Sequence, residues 1–254
     1  MDLMAVFGLL LGCASVYYVS VVGNITNLLF NLPSLVLVLG GTIGSTMITY
    51  PFSVIRRTPK VILTTLIHVK KNSLQQFIDR IFHLAEIAYA RGIDVLPEQL
   101  NDEDDNFLKT GVQMLIEDWS EKDIEENLER EINFIIERHQ QIQRLFISMS
   151  NYAPIYGLLG TLVGVLGVLQ QFGDPVAMGK SMAVAIVTTF YGIFGANFIF
   201  SPLAGKIETY SEEEIVVKRI LMIGVISIKK GNPVFVVKEK LERFLAHSAL
   251  KISH

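Results

Sequence analysis

Residues Tyr152–Phe172 read YAPIYGLLGTLVGVLGVLQQF: 21 positions with no charge and four glycines. A second run of the same kind, MAVAIVTTFYGIFGANFIFSPLAG, follows at Met182–Gly205. Each is close to the ~20 apolar residues a helix needs to cross ~30 Å of hydrocarbon. Glycine is a poor helix former in water. In hydrocarbon an unpaired backbone group is so costly that the helix forms anyway. The glycines are therefore available for packing.

Working outward, Leu3–Val22 and Leu32–Ile55 are two more uncharged runs, the second closed by Arg56 and Arg57. Half of the 254 residues are hydrophobic and only 19% are charged, with mean hydropathy +0.42. The reading is an all-α, polytopic membrane protein with four transmembrane helices. Helices one and two fill residues 1–55, and a cytoplasmic helical domain fills 56–145. Helices three and four fill 146–205, and cytoplasmic C-terminal helices fill 206–254. The leader MDL has no basic residue, and no small-residue cleavage site follows, so the first run reads as a span rather than a secretory signal. Cys13 is the single cysteine and has no metal-ligand spacing around it.

Of 22 Lys and Arg, only Lys180 falls in a connection between helices one and two or three and four. Arg56, Arg57 and Lys60 follow helix two, Arg138 and Arg144 precede helix three, and Lys206 follows helix four. The positive-inside rule then places both termini and the middle segment in the cytoplasm. That segment has helical periodicity, with Phe77, Ile78, Ile81, Phe82, Ala85 and Ala88 on one stripe. Breaks follow at Gly92 and Pro97. Asn101–Asp105 (NDEDD) reads as a helix start. Ser120 with Asp123 reads as the cap of a long charged helix that runs into helix three. In the tail, Asn232 reads as an N-cap with Pro233 in the first turn.

On a wheel of ~100° per residue, Gly157, Gly160, Gly164 and Gly167 fall within about 80° of one another. Ser181, Ala185, Thr188, Gly192 and Gly195 share a face of helix four. Association in lipid relies on close packing at small faces. Two readings stay open: helix three packs on helix four within one subunit, or a helix from a partner chain also approaches this surface. Pro154 and Pro202 read as termini or as joints coupling the membrane to the cytoplasmic helices. Thr161 and Thr189 lie beside the small faces; each hydroxyl bonds its own helix or lines a polar path.

None of the four runs contains Asp, Glu, Lys, Arg or His. Pumps and carriers use intramembrane ionisable groups to hold a proton or ion. If this chain moves ions, another polypeptide supplies the carboxylate. No nucleophile–base set, metal cluster or phosphate loop stands out, so no enzymatic activity, cofactor or nucleic-acid partner is expected.

The sequence resembles the MotA/PomA family, the larger stator subunit of the bacterial flagellar motor. The likeness is carried by APIYGLLGTLVGVLGVL (Ala153–Leu169) and AVAIVTTFYGIFGANFIFSPLA (Ala183–Ala204). It extends to the MDL start, LGGT (Leu39–Thr42) and RILMIGVISIKKGNP (Arg219–Pro233). The resemblance implies a homo-pentamer in the inner membrane, ringing the single-span helices of MotB/PomB-type subunits that carry the ion-accepting aspartate. It implies that ion flow turns the ring against the rotor protein FliG. Thr161 and Thr189 match the family threonines facing that aspartate, and Pro154 and Pro202 match its two prolines. Gly157, Gly160, Gly164 and Gly192 would meet the partner helix. Thr188-Thr189-Phe190-Tyr191-Gly192 is more like the sodium-type branch, so transported Na+ is favoured over H+, with Thr188 expected on the ion pathway beside Thr161 and Thr189.

Two departures stand out. Asn151 replaces the acid usual before Ala-Pro. The rotor-contact pattern is reduced to Arg91, with Pro97 near the usual acid position and Glu98 beside it, so Arg91 and Glu98 are the expected contacts. Other classes remain: an energiser like ExbB or TolQ, expected to have three spans, or a passive scaffold resting in membrane lipid.

Overall fold

The computed structural model describes residues 3–67 and 74–252, and among these the chain is helix and turn with no strand. The helices are α1 (Leu3–Val22), α2 (Thr26–Leu29), α3 (Leu32–Thr49), α4 (Phe52–Ile67), α5 (Leu74–Arg91) and α6 (Leu96–Gln99). They continue as α7 (Asn106–Ile116), α8 (Glu121–Gln170), α9 (Pro175–Phe194), α10 (Ser201–Lys229) and α11 (Val234–Ile252). A tight turn, Ile93–Val95, links α5 to α6, and a wide π turn, Gly195–Phe200, links α9 to α10. The chain forms two compact units.

One unit comprises Met1–Val69 with His139–Thr209. Three helical stretches have the length and hydropathy to cross a bilayer: Leu32–Thr49, Glu121–Gln170 and Pro175–Lys229. Phe7–Val22 is a shorter apolar stretch of α1. Along α8, Leu158, Leu162, Leu166 and Leu169 are 61, 60, 59 and 56% exposed. A leucine stripe of that size open to water would be an aggregation site; lipid or a partner helix is its natural surrounding. The unit's tighter core joins Val54, Ile142, Phe146, Ala153, Ala196 and Phe200. The helix after the outer turn starts earlier than the apolar run alone indicates. Asp174 accepts from the N–H groups of Val176 and Ala177, and Pro175 opens α9, so Lys180 lies within the helix.

The other unit comprises Lys70–Arg138 with Tyr210–His254. Its core follows helical spacing: Ile124, Leu128 and Ile132 on α8, Leu108, Val112 and Leu115 on α7, Ile220, Leu221 and Val225 on α10. Each such side chain, fully buried, contributes about 1.5–3 kcal/mol. The α5 stripe is centred on Ile78, Ile81, Leu84 and Ala85. Phe82 is turned outward from it, with the Lys238 ammonium over its ring at 5.9 Å. A methyl at Gly224 would meet Ile81 at 2.3 Å, so the glycine lets α10 approach α5 closely.

The caps explain the boundaries. Asp105 accepts from the Phe107 N–H at the start of α7. Ser120 accepts from the Asp123 N–H and bonds its carboxylate, starting α8. α10 ends in a Schellman turn: Asn232 N–H reaches the Ser227 carbonyl, Gly231 N–H reaches Ile228, and Gly231 takes φ 63°. Asn232 thus closes the preceding helix, and the Pro233 carbonyl accepts the first bonds of α11.

Candidate functional site

In the first unit α8 and α9 meet along the small faces. A methyl at Gly157 would meet the Thr188 carbonyl oxygen at 2.9 Å, at Gly160 the Thr188 Cβ at 2.5 Å, and at Gly164 the Ala185 Cβ at 2.6 Å. From the other side, a methyl at Gly192 would meet the Ala153 carbonyl at 2.6 Å. All four glycines therefore pack the chain against itself. Thr188 is fully buried in this seam and bonds the Val184 and Ala185 carbonyls of its own helix.

Thr161 and Thr189 lie together at the edge of the same seam, both half-buried. Their hydroxyls are 2.5 Å apart. The Thr161 hydroxyl also has the Gly157 and Ala185 carbonyls at 3.1 Å as alternative acceptors, and Thr189 has Ala185 at 3.4 Å. A hydroxyl has one proton to donate and lone pairs to accept. The cluster therefore offers several oxygens and no group that ionises near neutral pH. Such oxygens can take the place of water around a cation. They cannot hold a proton as a carboxylate does.

Sequence reading missed the polar rail beside this seam. Tyr50 bonds Ser148 at 2.8 Å, Thr49 bonds Tyr152 at 3.0 Å and Ser45 bonds Tyr156 at 2.7 Å, joining α3 and its C-terminal cap to α8. The Tyr156 ring occupies the space a methyl at Gly41 would take. Tyr152 and Tyr156, one turn apart, and Ser45 with Thr49, also one turn apart, were the available signal. Tyr191 donates to the Leu29 carbonyl, tying α9 to α2. Pro154 lies inside the continuous α8, and Pro202 follows the π turn.

In the second unit Arg91 ends α5 and Glu98 lies on α6, both exposed. Between them Gly92 takes φ 90°, a conformation that favours glycine, and fully buried Leu96 anchors the connection. Arg80 holds the far end: its guanidinium donates to the Asp104 carboxylate at 2.8 and 2.5 Å and to the Gln99 carbonyl at 2.6 Å. Burial pushes the Asp104 carboxyl up. The Arg80 hydrogen bond, the Asn101 N–H and the Arg80 and Lys109 charges outweigh it and hold the group below its usual value. Next door, Lys218 donates to both Asp105 oxygens at 2.7 Å and lies 5.6 Å from the Phe107 ring centre.

Fold and site together define a helical, multi-pass membrane protein whose central polar groups are hydroxyls. Residues 99–219 match the model of the MotA/TolQ/ExbB proton channel family. Motility protein A of Treponema pallidum (strain Nichols) is 31% identical over 246 residues, 97% of this chain and 95% of that protein. Chemotaxis protein PomA of Vibrio alginolyticus is 29% identical over 246 residues, 96% of each. The flagellar MotAB stator complex from Bacillus subtilis contains a chain that superposes with TM-score 0.88 at 25% identity, over 99% of this chain and 100% of that one. The chain belongs to the MotA/PomA branch of this family, a family of channel proteins rather than enzymes.

Proposed function

We propose that this chain is the ring-forming subunit of an ion-driven flagellar stator in the bacterial inner membrane, with four spans and both termini in the cytoplasm. The observation that carries the reading is the Thr161–Thr189 hydroxyl pair on apolar runs that contain no Asp, Glu, Lys, Arg or His. A sleeve with oxygen ligands but no titratable site needs a companion to supply one. The MotAB complex of the solved relative supports such a companion, here a MotB/PomB-type single-span subunit bearing a membrane aspartate. Five copies surround the companion's helices. Sodium, favoured over the proton, passes beside Thr161 and Thr189 to that aspartate. Neutralising the aspartate changes which face of the ring packs best against it, and the ring steps. Pro154 and Pro202 let the spans bend while the cytoplasmic helices follow. Arg91 and Glu98, held by the Gly92 turn and the Arg80–Asp104 pair, then push on the rotor protein FliG.

The test is Thr189→Val in cells that also make the companion subunit. Thr161 keeps the Gly157 and Ala185 carbonyls as acceptors, so the loss in stability is at most about 1 kcal/mol. Swimming torque and sodium-dependent flux are expected to fall while protein level stays normal. Unchanged torque with unchanged ion preference refutes the pathway.

A further inference from the structure

Helix α4 begins after a two-residue break, Tyr50–Pro51, at the end of membrane-length α3. Its inner side is already used: Val54 and Thr58 are buried, and Ile55, Val61 and Ile62 pack on the first unit's core. Its outer side carries Phe52, Arg56, Arg57, Lys60 and Leu63, all exposed, with Phe52 at 72% and Leu63 at 56%. Phe52, Arg56, Lys60 and Leu63 are spaced three and four apart and share one face, and Arg57 lies at its edge. No Asp or Glu occurs anywhere from Leu3 to Ile78. Arg56 and Arg57 make no ion pair or hydrogen bond among the described residues. The face therefore has large apolar residues at its two ends and, between them, Arg56 and Arg57 without an ionic partner among the described residues.

Two environments could satisfy cations: acidic protein or acidic lipid. Only the second also receives Phe52 and Leu63, and it is continuous with the bilayer that α3 spans. Arginine and lysine lay their hydrocarbon stems along apolar surface and keep the charge at headgroup level. We propose that this face of α4 is a docking surface for acidic phospholipid headgroups on the leaflet where α3 ends. It selects them over zwitterionic lipid and fixes the depth of the first unit in the membrane. Interfacial helices of this composition bind anionic leaflets by the same two terms, buried apolar area and juxtamembrane charge.

The test titrates phosphatidylglycerol and phosphatidylcholine separately into the purified full chain, with retained lipid counted by native mass spectrometry. The parent is expected to prefer phosphatidylglycerol, and the preference to shrink as salt rises. Arg56→Gln/Arg57→Gln is expected to lose at least fivefold of that preference, since one cation near an anionic leaflet is worth ~1 kcal/mol. Arg56→Lys/Arg57→Lys keeps it. An unchanged preference in the glutamine variant, at the parent's melting temperature, overturns the proposal. If that variant does not fold, salt-independent lipid preference in the parent overturns it equally. A photo-crosslinker at position 57 that captures a second copy or an acidic protein in native membranes, instead of lipid, also overturns it. None of these readouts uses ion flux or torque, so failure here leaves the stator reading untouched, and the reverse holds.

Discussion

Gly164→Ala isolates the close approach of α8 and α9. The added methyl would lie 2.6 Å from the Ala185 Cβ, 2.7 Å from its nitrogen and 2.8 Å from its Cα. These neighbours are backbone and Cβ, so no flexible side chain can move aside, and the helices must separate. Overpacking of this kind costs about 1–3 kcal/mol. Alanine also gains about 1 kcal/mol of helix propensity over glycine, which masks part of the loss. The control is a helical glycine with open space, and Gly40→Ala and Gly179→Ala qualify, because a methyl at either meets nothing within 4 Å. The propensity gain is common to all three variants. The difference between Gly164→Ala and the controls is therefore the packing cost alone. At ~2–4 °C per kcal/mol for a chain of this size, Gly164→Ala should melt roughly 2–12 °C below the controls. The assay is the loss of helical circular dichroism on heating, all variants in one detergent at one scan rate. If Gly164→Ala melts with the controls, close glycine packing does not hold these two helices together.

Two further outcomes concern the second unit, where Trp119, the only tryptophan, reports unfolding by fluorescence. The Asp104 carboxyl is depressed in the folded state. Its contribution is therefore complete above the unfolded value near 3.9 and disappears as pH falls through the lower folded value. Asp104→Asn should flatten the acid limb of stability in that window, and an identical limb would refute the Arg80 assignment. Lys218→Met should cost about 1.5–3 kcal/mol by removing the charge partner of the half-buried Asp105 carboxylate. Lys218→Met with Asp105→Ser, which keeps a capping oxygen, should recover most of that in denaturant titrations; strict additivity would show that the two residues are uncoupled.

The sequence made the helical membrane architecture legible because apolar length is a one-dimensional property: Tyr152–Phe172 and Met182–Gly205 needed no partner to be read. Capping was equally local. Asp105 and Ser120 each bond a backbone N–H two or three residues away, so residue type and spacing sufficed. The seam was half legible: a wheel puts Gly157, Gly160 and Gly164 on one face, but cannot say which helix fills it. That answer needed the register of α8 against α9, which brings Thr188 to Gly160 and Ala185 to Gly164. The tyrosine rail was hidden for the same reason, since Ser45 and Tyr156 are far apart in sequence and each is unremarkable alone. Asn232 misled because a residue between two helices can serve either; the Gly231 turn settles it for the preceding one.

Pro202 shows how a sequence signal acquires its meaning only through backbone geometry. A proline in a helix has no N–H for the carbonyl four residues back, here Phe198, and its ring crowds that oxygen. A kink is one solution. This chain uses another: the backbone widens over Gly195–Phe200, and the Ser201 N–H reaches the Ala196 carbonyl five residues back. The wide turn accommodates an extra residue without breaking the rod, so Pro175–Lys229 remains one helical stretch. The small residues Gly195 and Ala196 stay buried inside it while Asn197 faces outward and bonds the Ile193 carbonyl. The Phe198 ring lies where a methyl at Gly12 would be, and it continues a stack through Phe194 to Phe190. Removing the proline would let α-helical bonding return through this segment. The residues before it would then rotate relative to those after it, and the Phe198 ring would leave Gly12. The wide turn is a register device between the Thr189 seam and the helix continuing into α10.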